Sequence, residues 1–112
     1  MKYILIVLAM SILNKCSDKA EKGMPACVQK EIEKIKKEPV WNPPAEVNEY
    51  TYKGKQAFLF TSDCCDQYIV LLDSACNYIC APSGGMEGTG DGKCDDFYTT
   101  AKLVRLGWKD PR

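Results

Sequence analysis

The sequence predicts an α+β domain: one N-terminal helix packed on a small antiparallel sheet of three to four strands, stapled by disulfides and carrying a Gly-rich loop. Three observations predict it. An apolar stripe at helical spacing precedes Pro39, alternating β-rich runs follow it, and six of the seven cysteines are spread through those segments. The 112-residue length fits one domain. Hydrophobic residues at 46% and charged residues at 27% are the balance of a globular protein.

The helix comes first. Val28, Ile32 and Ile35 fall at i, i+4 and i+7, Pro25 suits the first turn, and Pro39 ends the helix. Lys30, Glu31, Glu33, Lys34, Lys36 and Lys37 take the other faces and read as a solvated surface. After Trp41, Pro43-Pro44 make an extended connector. Residues 46–52 alternate, Lys53-Gly54-Lys55 turns, and the β-rich residues 56–61 follow, which together read as a hairpin. Asp63 is expected to cap a short helix over residues 64–72, with Tyr68, Val70, Leu71 and Leu72 as its apolar bulk. Residues 77–81 read as a short strand. Residues 82–92 form a loop with glycines at 84, 85, 88, 90 and 92, and residues 101–108 alternate as a last strand. No internal repeat is visible.

The first segment reads as an address. Lys2 precedes an almost unbroken apolar run over residues 3–13. Eleven helical residues span roughly 16 Å, about half a bilayer core, so the run predicts a secretory signal peptide and not a membrane span. Leu13-Asn14-Lys15-Cys16 resembles a lipobox, in which Leu stands three residues before a Cys acylated through its thiol. Asn14 and Lys15 replace the small residues that pattern prefers. An ordinary signal-peptidase site after Ala20 would place Asp18 where a small residue is wanted. The expected organisation is a signal peptide over 1–15, a polar tether over 16–23 and a single disulfide-rich domain over 24–112. The expected location is the cell envelope, with the domain held to the outer membrane by lipid on Cys16.

Cysteine arithmetic agrees. Beyond Cys16 there remain Cys27, Cys64, Cys65, Cys76, Cys80 and Cys94, an even number that predicts a disulfide framework in an exported domain. Six cysteines allow fifteen connectivities. The three containing a vicinal Cys64–Cys65 bridge, an eight-membered ring, are set aside as strained, and twelve stay open. Each bridge is worth about 2–4 kcal/mol, a large share of a typical total of about 5–15 kcal/mol.

From residue 49 onward the order of features resembles a known family. Glu49-Tyr50-Thr51-Tyr52-Lys53-Gly54-Lys55 leads into Asp63-Cys64-Cys65-Asp66-Gln67. Then come Cys76-Asn77-Tyr78-Ile79-Cys80-Ala81-Pro82-Ser83-Gly84-Gly85, Gly88-Thr89-Gly90-Asp91-Gly92-Lys93-Cys94, Asp96-Phe97 and Trp108-Lys109-Asp110-Pro111-Arg112. The order is similar to that of small bacterial envelope lipoproteins classed only as a domain of unknown function. Asp95 stands where that pattern leads one to expect Pro. The resemblance is read as including the helix and Cys27. It implies bacterial export and a lipid anchor, and it brings no activity, substrate or catalytic residue.

Composition excludes several chemistries. Lys+Arg and Asp+Glu are both 15, so no basic surplus neutralises a nucleic-acid backbone, and no nucleic-acid partner is expected. The chain has no histidine, which removes the commonest general base and zinc nitrogen ligand. A P-loop would need Gly at 87 and Ser or Thr at 94, where Glu87 and Cys94 stand. No helix opens after the glycines as a dinucleotide fingerprint requires. Thiols in an oxidising compartment pair with one another rather than bind zinc. Residues 56–96 hold seven acids and one base, and Asp91, Asp95 and Asp96 form a weak calcium candidate without an EF-hand pattern. No cofactor is expected.

Ser83, Gly84, Gly85, Gly88, Gly90, Asp91 and Gly92 are the candidate binding loop, with Tyr50 or Tyr52 as a contact where exposed. The preferred expectation is a monomeric, non-enzymatic, lipid-anchored domain that meets a membrane through Cys16 and a protein or glycan partner through its surface. The alternatives are a secreted inhibitor-like module presenting the Cys80–Cys94 loop, and a small hydrolase or thiol-redox enzyme.

Overall fold

The structure is a computed structural model in which residues 23–112 are described. The expected signal peptide, Cys16 and the tether up to residue 22 lie outside them. Helix α1 spans Ala26–Lys36 and buries Val28, Ile32 and Ile35, the expected stripe. Pro25 stands just ahead of the helix and not inside its first turn.

The C-terminus of α1 carries a cap that periodicity does not reveal. Arg112 donates from its guanidinium to the carbonyls of Ile35, Lys36 and Glu38 at 3.4, 3.1 and 2.9 Å. A cation is thereby placed on the negative end of the helix, where the last carbonyls lack intrahelical partners. Buried Asp110 holds that guanidinium in turn, accepting from Arg112 Nε at 3.0 Å and Nη2 at 2.8 Å.

The sheet has five strands, one or two more than expected: β1 Glu46–Tyr52, β2 Lys55–Phe60, β3 Tyr68–Asp73, β4 Tyr78–Gly84 and β5 Lys102–Lys109. Their order is β4-β3-β2-β1-β5, with every neighbouring pair antiparallel. Tyr52 pairs with Lys55, leaving Lys53 (φ 53°) and Gly54 (φ 78°) as a two-residue loop. Two positive φ angles are what a type I′ hairpin turn needs.

The expected helix over residues 64–72 is corrected to a turn and β3. Tyr68-Ile69-Val70-Leu71-Leu72 is a short, partly β-branched apolar run, too short for a helix and suited to a strand with neighbours on both sides. It pairs with β2 through Val70↔Phe60 and with β4 through Tyr68↔Gly84. β4 also runs further than expected, through Pro82 and Ser83 to Gly84. An edge strand tolerates a proline because one side of it needs no donors.

Alternation along β2 divides the core between the two faces of the sheet. Phe58 joins Val28, Ile32, Ile35, Val47 and Trp108 beneath α1. Ala57 and Leu59 join Tyr52, Leu71, Cys80, Cys94 and Phe97 on the other face. Phe97 opens a short helix, α2 Phe97–Thr100, that the sequence reading did not anticipate. Its buried ring meets Tyr50 and Tyr52 edge-on at 4.8 and 5.4 Å between centroids, and full burial of such a ring is worth about 2–3 kcal/mol.

β5 is joined to β1 by Glu49, which accepts from Arg105 Nε at 2.8 Å and from Gln56 Nε2 at 3.0 Å. Burial alone would raise the Glu49 pKa; these two hydrogen bonds and the Arg105 charge outweigh it and hold the group below its ordinary value. Gly107 permits a close approach on the same strand. A Cβ there would fall 2.7 Å from Met24 Cε and 2.9 Å from the Val47 carbonyl.

Among the described residues three disulfides close the fold: Cys27–Cys76, Cys64–Cys65 and Cys80–Cys94. This connectivity is one of the three set aside above. Cys76 lies against the α1 cluster and Cys94 is buried with Cys80, so four thiols are consumed by neighbours the fold supplies. Cys64 and Cys65 are exposed in the turn between β2 and β3, and each has the other beside it.

Ile32→Ala should lower unfolding free energy by about 3 kcal/mol in urea titration of the oxidised protein, because it empties a fully buried site under α1. Arg112→Ala should lower Tm by several degrees, and Arg112→Lys should recover only part of it, because one ammonium cannot serve Asp110 and three carbonyls together.

Candidate functional site

The Gly-rich segment leaves β4 and folds back along it. Gly90 N–H donates to Gly84 O at 3.0 Å, and Asp91 N–H donates to Ala81 O at 2.9 Å. Gly85 N–H reaches across to Gln67 O at 3.2 Å. The Cys80–Cys94 bridge fastens the far end, with both sulfurs in the second core cluster. Two glycines are required by contact as well as by positive φ. A Cβ on Gly84 would fall 2.5 Å from Gln67 O, and one on Gly90 would overlap Ala81 O. The loop is therefore a preorganised cover for the β4 edge.

Three tyrosines stand around it. Tyr68, Tyr78 and Tyr98 are 46%, 48% and 58% exposed, large values for aromatic side chains on so small a domain. Tyr78 Oη donates to Asp91 Oδ2, while Asp91 Oδ1 accepts from Lys93 N–H at 3.0 Å. The Lys93 ammonium lies 5.9 Å from the Tyr78 ring centroid. Ser83 Oγ and Tyr98 Oη share a hydrogen bond at 2.8 Å. Tyr68 lies against Gly85, and with Met86, Glu87 and Thr89 it borders a shallow depression of about 200 Å³. Aromatic faces beside fixed hydroxyl, carboxylate and ammonium groups suit a polar ligand with apolar patches, such as a sugar face or a peptide.

The sequence-derived loop residues thus fall into two groups. Ser83 and Gly84 belong to the end of β4, and Gly85, Gly88, Gly90, Asp91 and Gly92 form the return. Sequence reasoning passed over Tyr68, Tyr78 and Tyr98. Their signal was weak, because tyrosines in β-rich segments are ordinarily half-buried. Of the pair considered instead, Tyr52 is buried and Tyr50 partly so, both against Phe97.

The calcium candidates do not gather. Asp91 faces Tyr78, and Asp96 Oδ1 accepts from Tyr52 Oη at 2.6 Å. Asp95 is exposed, and among the described residues no three acidic or thiol side chains cluster at metal-binding spacing. Hydrogen bonds from Tyr78 and Tyr52 hold Asp91 and Asp96 below the ordinary carboxylate range. The tyrosines move the other way, both to about 12. For Tyr52 the bond to Asp96 is the main cause, and for Tyr78 desolvation leads, followed by the bond to Asp91.

A tyrosine pKa raised by folding stabilises fully below the unfolded value of 10.0 and loses that contribution as pH rises through the folded value of about 12. Urea unfolding should therefore show stability falling across this window. Tyr52→Phe should flatten the fall and cost about 1 kcal/mol at neutral pH, the worth of one lost hydrogen bond. Gly90→Ala should detach the loop, seen as faster amide exchange over residues 85–92 with little change in β2.

Three disulfides among the described residues point to an oxidising, extracytoplasmic environment. No helix among those residues is long and apolar enough to cross a membrane. No curated protein and no solved structure is found to match the chain. Residues 33–110 match the model of one protein family. That span begins inside α1, after Cys27, and takes in the whole sheet, the loop and α2. The chain belongs to the family described as Domain of unknown function (DUF6970).

Proposed function

We propose that the protein is an exported bacterial envelope lipoprotein, anchored to the outer membrane through Cys16, whose domain works by binding and not by catalysis. The observation that carries the reading is the braced loop on the β4 edge with Tyr68, Tyr78 and Tyr98 exposed around it. A loop already fixed by a disulfide, backbone hydrogen bonds and tight glycine contacts loses little entropy when it meets a partner. The partner is a protein or a glycan of the envelope, met by the aromatic faces and their polar neighbours.

Two features speak against the enzyme reading. The chain contains no histidine. The perturbed carboxyls Glu49, Asp73, Asp91, Asp96 and Asp110 all lie below their ordinary values, whereas carboxylate-driven glycoside hydrolysis needs one raised.

Cells expressing the protein should incorporate labelled palmitate into it, and Cys16→Ser should abolish the label. Labelling that persists in Cys16→Ser would contradict the anchor. Tyr68→Ala/Tyr78→Ala should keep the Tm within a few degrees, since both rings are half exposed. It should also remove partners cross-linked to the protein in intact envelopes. An unchanged cross-linking pattern would remove the loop from the binding surface, and slowed proteolysis by the purified protein would favour the inhibitor-like module.

A further inference from the structure

The two edges of the sheet are finished differently. β4 is covered by its own loop through Asp91 and Gly90. Along β5, among the described residues, no strand pairs with the outer side. There Leu103, Val104 and Leu106 are 61%, 52% and 54% exposed. Leu103 and Leu106 lie opposite Tyr50 and Asn48, and so share one face of the sheet. An open eight-residue edge with three large apolar side chains invites a covering partner.

A second copy is poorly suited to that place. Antiparallel pairing of two β5 strands in register would set Lys102 of each opposite Lys109 of the other, like charges face to face. The strand also carries two register irregularities against β1, which spoil a flat edge.

The surroundings suit an anionic lipid surface better. Beside the start of β5 opens a shallow depression of about 400 Å³ lined by Thr51, Lys53, Gly54, Asp96, Thr100 and Lys102. Two lysines therefore border the apolar strip, while the Asp96 carboxylate is turned to Tyr52. Apolar side chains flanked by lysines form the pattern of a surface that enters a headgroup layer.

The chain itself arrives at this edge. A Cβ on Gly23 would lie 3.1 Å from Arg105 Nη2, and Met24 packs on Gly107, so residues 23 and 24 lie over β5 on its α1 face, across the edge from Leu103 and Leu106. Six residues, 17–22, separate Gly23 from Cys16, and the chain between the two can reach at most roughly 25 Å.

We infer that β5, through Leu103, Val104, Leu106 and Lys102, rests on the anionic membrane to which the chain is tethered. This rests on the lipid attachment at Cys16 proposed above. A short tether gives an effective concentration of about millimolar, so a patch too weak to hold free protein is enough to orient an anchored one. The β4 edge, with Tyr78 on it, stands four strand spacings from β5, about 19 Å.

The test is amide exchange over residues 102–109 in the lipidated full chain. It is reconstituted into phosphatidylcholine vesicles containing phosphatidylglycerol and compared with the Cys16→Ser chain free in solution. Exchange should slow by about fivefold or more on the vesicles, as for an edge covered roughly four-fifths of the time. Leu103→Ser/Leu106→Ser and Lys102→Glu should each restore fast exchange in β5 without altering β2, since all three positions are exposed. Equal exchange on and off vesicles overturns the inference, and so does vesicle-free protection that grows with protein concentration, which would assign the edge to a second copy. Should Cys16 carry no lipid, the anchor fails separately. Sedimentation of the Cys16→Ser chain with phosphatidylglycerol vesicles at millimolar lipid then decides the edge: binding lost in Leu103→Ser/Leu106→Ser supports it, and no binding overturns it.

Discussion

The Cys80–Cys94 bridge is the constraint on which the candidate site depends. It joins β4 to Cys94, three residues before α2 begins, and both sulfurs lie inside the second core cluster. Everything between is held from both ends: the backbone bonds from Gly90 and Asp91 to β4, the tight contacts at Gly84 and Gly90, and the Tyr78–Asp91 pair. Beyond the bridge, Phe97 drops into the face formed by Tyr50 and Tyr52. Without the bridge, five positive-φ glycines would make this segment among the costliest of the chain to order. With it, much of that entropy is already removed from the unfolded chain.

The remaining order comes from charge pairs set where backbone groups or buried charges need partners. Arg112 serves the end of α1 and is held by Asp110, so residues 74 to 77 positions apart in the sequence close one corner of the fold. Glu49 and Arg105 do the same for β1 and β5. Both acids are buried, and an unpaired charge at either place would be costly. These pairs fix position more than they add net stability. The apolar work is done by the two faces of β1 and β2.

Local patterns were legible where one periodicity dominated. The stripe Val28, Ile32 and Ile35 and the Lys53-Gly54 turn are read from neighbours within a few residues, and the structure keeps them. Residues 64–72 were not legible, because a short apolar run does not distinguish helix from strand until its pairing with Phe60 and Gly84 is known. The vicinal pair is not legible because it follows from the fold pairing Cys27 with Cys76 and Cys80 with Cys94, which leaves Cys64 and Cys65 to each other. The loop glycines were visible as composition, but the tyrosines around them were not. Tyr78 sits on the edge strand β4, Tyr68 on its neighbour β3 and Tyr98 on α2, and none of these placements has a local signature.

Among the described residues the disulfides tie together a sheet with a loop-covered edge at one side and residues 23 and 24 lying over β5 at the other. This arrangement requires that the framework be oxidised in the native protein. Peptide mapping without reduction, on protein isolated from envelopes in the presence of an alkylating agent, tests this most directly. The predicted result is one cross-linked peptide pair joining Cys80 to Cys94, another joining Cys27 to Cys76, and no alkylation at these four positions. Alkylated Cys80 and Cys94 in freshly isolated protein would contradict the account.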